Sequence, residues 1–325
     1  MINRMNVNPR ECRVNCSVCF LFIIFTMISL SVAEARQQKL VWERVLGDTS
    51  HSPQGVMLYH PQAVRTDDGG TIHVLQKESI EKFDQRGRHL GTITLKKGKG
   101  PGEFAQPVSF TIDREGNYYV LDEYLRRISR FDSRGRFVRS FIIEFWGYGI
   151  ELWRNTELVV LGQGDGAILH VMSLDGEHKK SFGAPLSSVG NLPQAAMNPR
   201  FWCVRSDTIY VAHPMRYEAR MYISEQHVKT FTGSKQFQPP KTRPTRGGGL
   251  GVAPLEYISG LGVLNGKLLV SIFRMTSSPS TLEIFDLGTG KHVQGSEVSY
   301  WLKWIDQNQN LYFTEEDRVM IGRLK

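Results

Sequence analysis

The chain has 325 residues, 41% of them hydrophobic and 22% charged, with 31 glycines, the composition of a soluble globular protein that leans towards many turns. Forty Lys and Arg against 32 Asp and Glu give a formal charge of +8. A charge of this size supports solubility and weak attraction to anionic surfaces, and is no evidence for nucleic-acid binding.

Taken in chain order, Arg4, Arg10 and Arg13 precede the apolar stretch Ser17–Val32, "SVCFLFIIFTMISLSV", and then Ala33-Glu34-Ala35. Basic residues, an apolar run and a small-x-small box are the parts of a secretory signal. Residues 1–35 are therefore expected to be a leader cleaved after Ala35, which leaves a mature chain of charge +7, secreted or periplasmic. The apolar run is shorter than the ~20 residues of a permanent membrane-spanning helix, and an uncleaved anchor over residues 17–32 is the alternative. Cys12, Cys16 and Cys19 go with the leader and lack the small-residue box of a lipidated cysteine. Cys203 is then the one cysteine of the mature chain, unable to form an intramolecular disulfide, and its neighbours in "FWCV" make it a buried small hydrophobe.

"KLVWERVLG", Lys39–Gly47, reads as a strand without a unit of its own. After it the chain repeats. "PQAVRTDDGGTIHVLQKESIEKFDQRGRHLGTITL" from Pro61 aligns with "PVSFTIDREGNYYVLDEYLRRISRFDSRGRFVRSFII" from Pro107, 46 residues on. Asp67 and Gly70 match Asp113 and Gly116, and Asp84 and Gly87 match Asp132 and Gly135. Weaker copies follow: "ILHVMSLDG" around Asp175, "DTIYVAHPMRYEARMYISEQHVKTF" from Asp207, "NGKLLVSIFRMTSSPSTLEIFDLGTG" from Asn265, and "DQNQNLYFTEEDRVMIGRLK" from Asp306. Each consists of short alternating apolar strands bounded by Asp, Asn and Gly turns. At about 48 residues and four strands, a copy has the size of a propeller blade. The sixth stops after its third strand, so the strand at 39–47 is expected to complete it and close the ring, leaving no unpaired edge.

Between the first two copies, "GKGPG", Gly98–Gly102, runs into a strand and lacks the helix and the Lys-Ser/Thr ending of a phosphate loop. It is expected to be a connection. The Asp-x-x-Gly tetrapeptides are expected to be turns, in which Asp binds backbone N–H groups and Gly supplies a positive φ, and not calcium loops, which need ligands at alternating positions over a dozen residues.

Gly98–Phe141 resembles an NHL repeat, with its glycine-rich lead-in, the Phe and Pro before the first strand, "DREGN", "YVLD", "RI" and "FDSRG". The likeness is good over this unit, partial over 61–97 and faint from 150 onwards. It implies an all-β fold: a six-bladed β-propeller of four-stranded antiparallel blades, like secreted bacterial proteins of that class, forming one domain over 36–325. It implies no single reaction, since relatives include scaffolds for protein or RNA and a few lyases.

In a four-stranded blade, the connection from the second to the third strand and the crossover to the next blade share one face, where binding loops gather. Gln76, Asp122, Gly162, His213, Ile272 and Glu315 align just after the second strand. Asp122 ties down its own loop in one reading; in the other it joins Gln76, His213, Glu315 and the nearby Arg216 and Arg274 at the channel mouth. The longest departure from the repeat, Thr232–Tyr257, carries Lys235, Lys241, Arg243 and Arg246 and is either a basic flap suited to anions or a surface insertion. Trp146, Tyr148, Trp153, Trp301 and Trp304 are candidates for core packing, or for stacking on sugars.

These features point to an exported, monomeric, non-catalytic propeller that binds a protein or glycan, anionic by the flap's charge, with no nucleic-acid partner. No cofactor is expected. The alternatives are a lactonase-like, metal-assisted hydrolase or lyase using calcium, whose Glu-Asn-Asp set does not carry over residue by residue, and a sensor held at the membrane by its leader.

Overall fold

Strand-forming residues in period-two alternation, cut at short intervals by Asp, Gly and Asn, give four-stranded antiparallel sheets. The computed structural model describes residues 38–47, 56–192, 197–233, 235–244, 250–275 and 279–325. The expected leader and the tip of the basic segment, with Arg246, lie outside the described residues. Residues Leu40–Lys325 make one compact unit.

Blade 1 runs through Ala63–Thr66, Ile72–Leu75, Ser79–Phe83 and His89–Thr94, and blade 2 through Pro107–Ile112, Tyr118–Asp122, Arg127–Phe131 and Phe137–Ile142. Blade 3 comprises Trp146–Trp153, Glu157–Gly164, Ala167–Ser173 and His178–Phe182; blade 4 comprises Trp202–Arg205, Thr208–Ala212, Glu218–Ile223 and Gln226–Thr232. Blade 5 follows with Glu256–Leu264, Lys267–Arg274, Thr281–Asp286 and His292–Glu297. Blade 6 has three strands from the end of the chain, Trp301–Ile305, Leu311–Thr314 and Val319–Leu324, and takes its outer strand from Leu40–Leu46. Leu40 pairs with Leu324 and Leu46 with Val319. The protein is thus an all-β, six-bladed propeller closed by its first strand on its last blade, with no helix among the described residues.

The first strands of the blades form a closed inner circle, each beside the next. Between every two neighbouring blades lies one apolar cluster. Ala63, Leu75 and Ile80 of blade 1 pack on Phe110, Val120 and Phe131 of blade 2, and the same arrangement recurs around the ring to blade 6, whose Tyr312 and Ile321 meet Val64 and Val74 of blade 1. Burying a side chain such as Phe110 or Leu75 contributes roughly 1.5–3 kcal/mol. Where inner strands come closest, side chains give way: a Cβ on Gly149 would lie 2.3 Å from the Trp202 indole nitrogen.

The Asp-x-x-Gly tetrapeptides are turns. Asp113 Oδ1 accepts the N–H groups of Glu115 (2.9 Å) and Asn117 (2.8 Å), and Gly116, at φ +81°, donates to the Asp113 carbonyl at 3.0 Å. The second oxygen is taken by Asn117 Nδ2 at 2.8 Å and the Tyr119 hydroxyl at 3.1 Å. Blade 6 repeats the device with Asp306, Asn310 and Tyr312. The "GKGPG" segment joins blades 1 and 2, and Arg127 binds the carbonyls of Lys99 (3.0 Å) and Gly100 (2.9 Å). Those carbonyls face a cation, the opposite polarity to a phosphate cradle.

Candidate functional site

The aligned positions Gln76, Asp122, Gly162, His213, Ile272 and Glu315 do stand at or beside the ends of the second strands, on the face that carries the blade-to-blade crossovers. Asp122 is fully buried. Its Oδ2 accepts the N–H groups of Ala105 (2.7 Å) and Gln106 (2.8 Å), and its Oδ1 that of Leu125 (2.7 Å). It therefore clamps the crossover from blade 1 to its own hairpin loop. His213 is equally buried: Nε2 donates to the Ser187 carbonyl at 2.8 Å and Nδ1 accepts from Met215 N–H at 3.1 Å. That is a neutral tautomer, and burial pushes the imidazole's pKa down.

Arg216 binds the neighbouring carbonyl of Ser188 at 2.9 Å, so His213 and Arg216 hold one connecting segment between blades 3 and 4. Gln76 bonds Ser79 at 3.3 Å and accepts from Tyr59 N–H. Arg274 pairs with Glu256 at 3.1 Å and with the Pro279 carbonyl at 2.9 Å. Glu315 pairs with Arg318 at 3.0 Å and lines a cavity at the mouth with Gln62, Phe273, Trp301 and Lys303. No hydrogen bond or ion pair joins any two of these six candidates among the described residues.

The basic segment between blades 4 and 5 contains an antiparallel hairpin, Lys241–Pro244 with Leu250–Ala253. Phe237 stacks on Tyr217 with centroids 5.2 Å apart, and Val252 packs on the cluster between blades 3 and 4. Lys235 borders a cleft with Arg274, Glu283 and His292, and Lys241 is exposed. Arg243 lies in the hairpin's first strand.

A second group of charges lies on the axis. Arg65, Glu151 and Lys303 come from the inner strands of blades 1, 3 and 6 and line one cavity of about 100 Å3 with Ser109, Cys203, Leu261, Leu302 and Trp304. Arg65 is only 7% exposed. It pairs with Glu151, donates to its neighbour's Val64 carbonyl at 2.7 Å, and lies 4.7 Å from the Trp304 ring centroid; its Nε–H has no acceptor among the described residues. Burial raises the Glu151 carboxyl, to about 7, against the pull of Arg65. Lys303 makes no ion pair or hydrogen bond among the described residues and rests between the rings of Trp301 (5.3 Å) and Phe201 (6.0 Å). Burial, and then repulsion by Arg65, bring its ammonium down to about 8. Cys203 packs on the cluster between blades 4 and 5, and burial pushes its thiol up.

A third group lies on the crossover face at blades 2 to 4. Tyr124 is 61% exposed, Ile142 65% and Trp146 50%. Arg126 stands 5.5 Å over the Trp146 ring, Arg200 5.4 Å over Tyr148, and Arg200 reaches Glu123 at 3.3 Å. Of the aromatic residues singled out in the sequence, Trp153 is wholly buried, Trp301 packs edge-on to Phe273 at 5.7 Å, and Trp146 stays open. Among the described residues no three His, Cys, Asp or Glu side chains are close enough to share a metal.

The axial charges were missed from the sequence, although a signal exists. In "AVRT", "GIELW" and "WLKWI" one charged residue interrupts an apolar first strand, and a first strand has no solvent-facing side except the channel.

A family model described as a 6-bladed beta-propeller (DUF5128) matches residues 66–145, across the two most regular blades. No curated protein is significantly similar in sequence. Among solved structures the chain is similar to a DUF4221-family member from Bacteroides vulgatus, at TM-score 0.60 and 9% identity over 90% of this chain and 99% of that one. It is also similar to an inferred exported protein of Bacteroides fragilis, at TM-score 0.57 and 11% identity over 89% and 95%. A third is virginiamycin B lyase from Staphylococcus aureus, at 0.51 and 13% over 89% and 100%. At these identities the likeness is one of fold. No helix among the described residues is long and apolar enough to cross a membrane.

Proposed function

We propose that this protein is an exported, non-catalytic binding propeller, NHL-like in its repeats, that engages a glycan through its crossover face. The observation that carries the reading is the half-exposed ring of Trp146 with Arg126 over it, on the face that also carries the exposed Tyr124 and the Arg200–Glu123 pair. A flat, half-exposed indole takes the apolar face of a sugar ring, and charged donors and acceptors at its rim take hydroxyls. The arginines, with Lys235 and Lys241 across the same face, favour an acidic polysaccharide over a neutral one. The inferred export of the Bacteroides fragilis structure is in keeping with a partner outside the cytoplasm.

Titration calorimetry of residues 36–325 with neutral and uronate-containing oligosaccharides tests the reading. Binding of the acidic series, weakened about tenfold or more in Trp146→Ala with an unchanged unfolding midpoint, is expected. Failure of every oligosaccharide to bind, or equal affinity in the variant, refutes it. A chelator-sensitive midpoint restored by calcium would instead favour the metal-assisted hydrolase.

A further inference from the structure

We propose that the central channel is a binding site for a small free carboxylic acid, held between Arg65 and Lys303. This does not depend on the glycan reading, which concerns other residues.

The charge balance of the channel motivates the proposal. Three inner-strand side chains bring two cations and one anion into the same cavity, and the anion, Glu151, is already committed to Arg65. Among the described residues the Lys303 ammonium is left with aromatic faces alone. Arg65, more than nine-tenths buried, retains an Nε–H without an acceptor among the described residues. A half-buried cation without a counter-charge is poorly solvated, and a buried donor without an acceptor costs roughly 1–3 kcal/mol. A carboxylate meets both demands at once, accepting from Arg65 and neutralising Lys303.

Size and charge narrow the class. A cavity of about 100 Å3 has room for a short acid. With Glu151 ionised against Arg65, the uncompensated charge of the three is a single positive one, which suits a monoanion better than a phosphate or sulfate dianion. Apolar wall residues Leu261, Val263 and Leu302 suit the hydrocarbon part of the acid. Access is from the crossover face, because Gln62 and Lys303 border both this cavity and the mouth cavity beside Glu315.

The test follows thermal unfolding of the protein against acetate, propionate, butyrate, phosphate and sulfate, each at one fixed ionic strength made up with chloride. Short carboxylates are expected to raise the midpoint in proportion to the logarithm of concentration, by roughly 2 °C for each tenfold increase beyond the dissociation constant, with phosphate and sulfate no better than chloride. Lys303→Met, which removes an unpaired charge and should fold, is expected to abolish the response. Lys303→Arg is expected to keep it, and Trp146→Ala to leave it untouched. Equal midpoints in all anions, or a carboxylate response that survives in Lys303→Met, would overturn the proposal. A response to phosphate and sulfate alone would do so too.

Discussion

At the scale of single residues, the aspartates of this chain are structural in several distinct ways. Asp84 and Asp132 hold exposed hairpin turns and pair with Arg88 and Arg136. Asp113 and Asp306 sit deeper and bind an Asn and a Tyr as well as backbone. Asp122 fastens one blade's hairpin to the crossover from the preceding blade. Replacing it by Ala leaves three N–H groups without their acceptor, so a loss of roughly 3–5 kcal/mol is expected, read as a lower urea midpoint at unchanged slope. Asp122→Asn keeps an acceptor oxygen and should lose less, and a cost below about 1 kcal/mol for the Ala variant would show the clamp to be incidental. The turn role was legible from Asp-x-x-Gly spacing because it is made within a few residues. The long reach of Asp122 was not, since its partners lie 16 and 17 residues back.

At the scale of strands, a regularity appears that the sequence reading passed over. His89, His178, His227 and His292 all occupy the irregular step of the hairpin between third and fourth strands, opposite Phe83, Met172, Tyr222 and Phe285. Blade 3 adds His170 on its third strand, wholly buried, stacked on Phe145 at 3.7 Å and bonded through Nδ1 to Ser181 at 2.8 Å. Burial, and then the nearby His178, lower its pKa from 6.5 to about 4. The unfolded chain therefore binds a proton between pH 6.5 and 4 that the folded chain refuses, so stability falls as pH drops through that window. The loss attributable to His170 is on the order of 2–3 kcal/mol by pH 4. His170→Leu should flatten this part of the curve in urea titrations between pH 7 and 4, and an equally steep curve in the variant would assign the acid sensitivity elsewhere. Blade 3 also shows why the repeat faded: Ser173 replaces the turn aspartate, and its hydroxyl accepts the N–H groups of Asp175 and Glu177. The geometry survives a change of residue type that erases the motif.

At the scale of the molecule, closure was legible because an unpaired strand at one end and a three-stranded blade at the other imply each other. The channel was not, because naming the side chains that meet on the axis requires knowing which blades face one another. Joining Leu40 to Leu324 closes a loop of nearly the whole chain, at an entropic cost of about 5 kcal/mol, and that cost is recovered only through the last blade. A chain beginning at Gly47 should expose the Val319–Leu324 edge and self-associate, visible in light scattering. Adding a peptide covering residues 38–47 should suppress the association. A truncated chain that stays monomeric with an unchanged midpoint would show the closing strand to be dispensable.

The axial contacts change how the ring can come apart. Blades in a closed ring touch only their neighbours, and such an assembly tends to fray one unit at a time, as a linear repeat array does. Among the described residues three contacts skip a neighbour: Arg65 with Glu151 joins blade 1 to blade 3 past blade 2, Arg200 with Glu123 joins the entry of blade 4 to blade 2 past blade 3, and Lys303 over Phe201 joins blade 6 to blade 4 past blade 5. They act as chords across the circle. Blades 2, 3 and 5 are each bracketed by a pair that is itself tied together, so none of them can swing outward by separating its two flanks. Sub-global opening is steered to the one interface that no such chord spans, between blades 6 and 1, beside the blade in which the first and last strands of the ring meet.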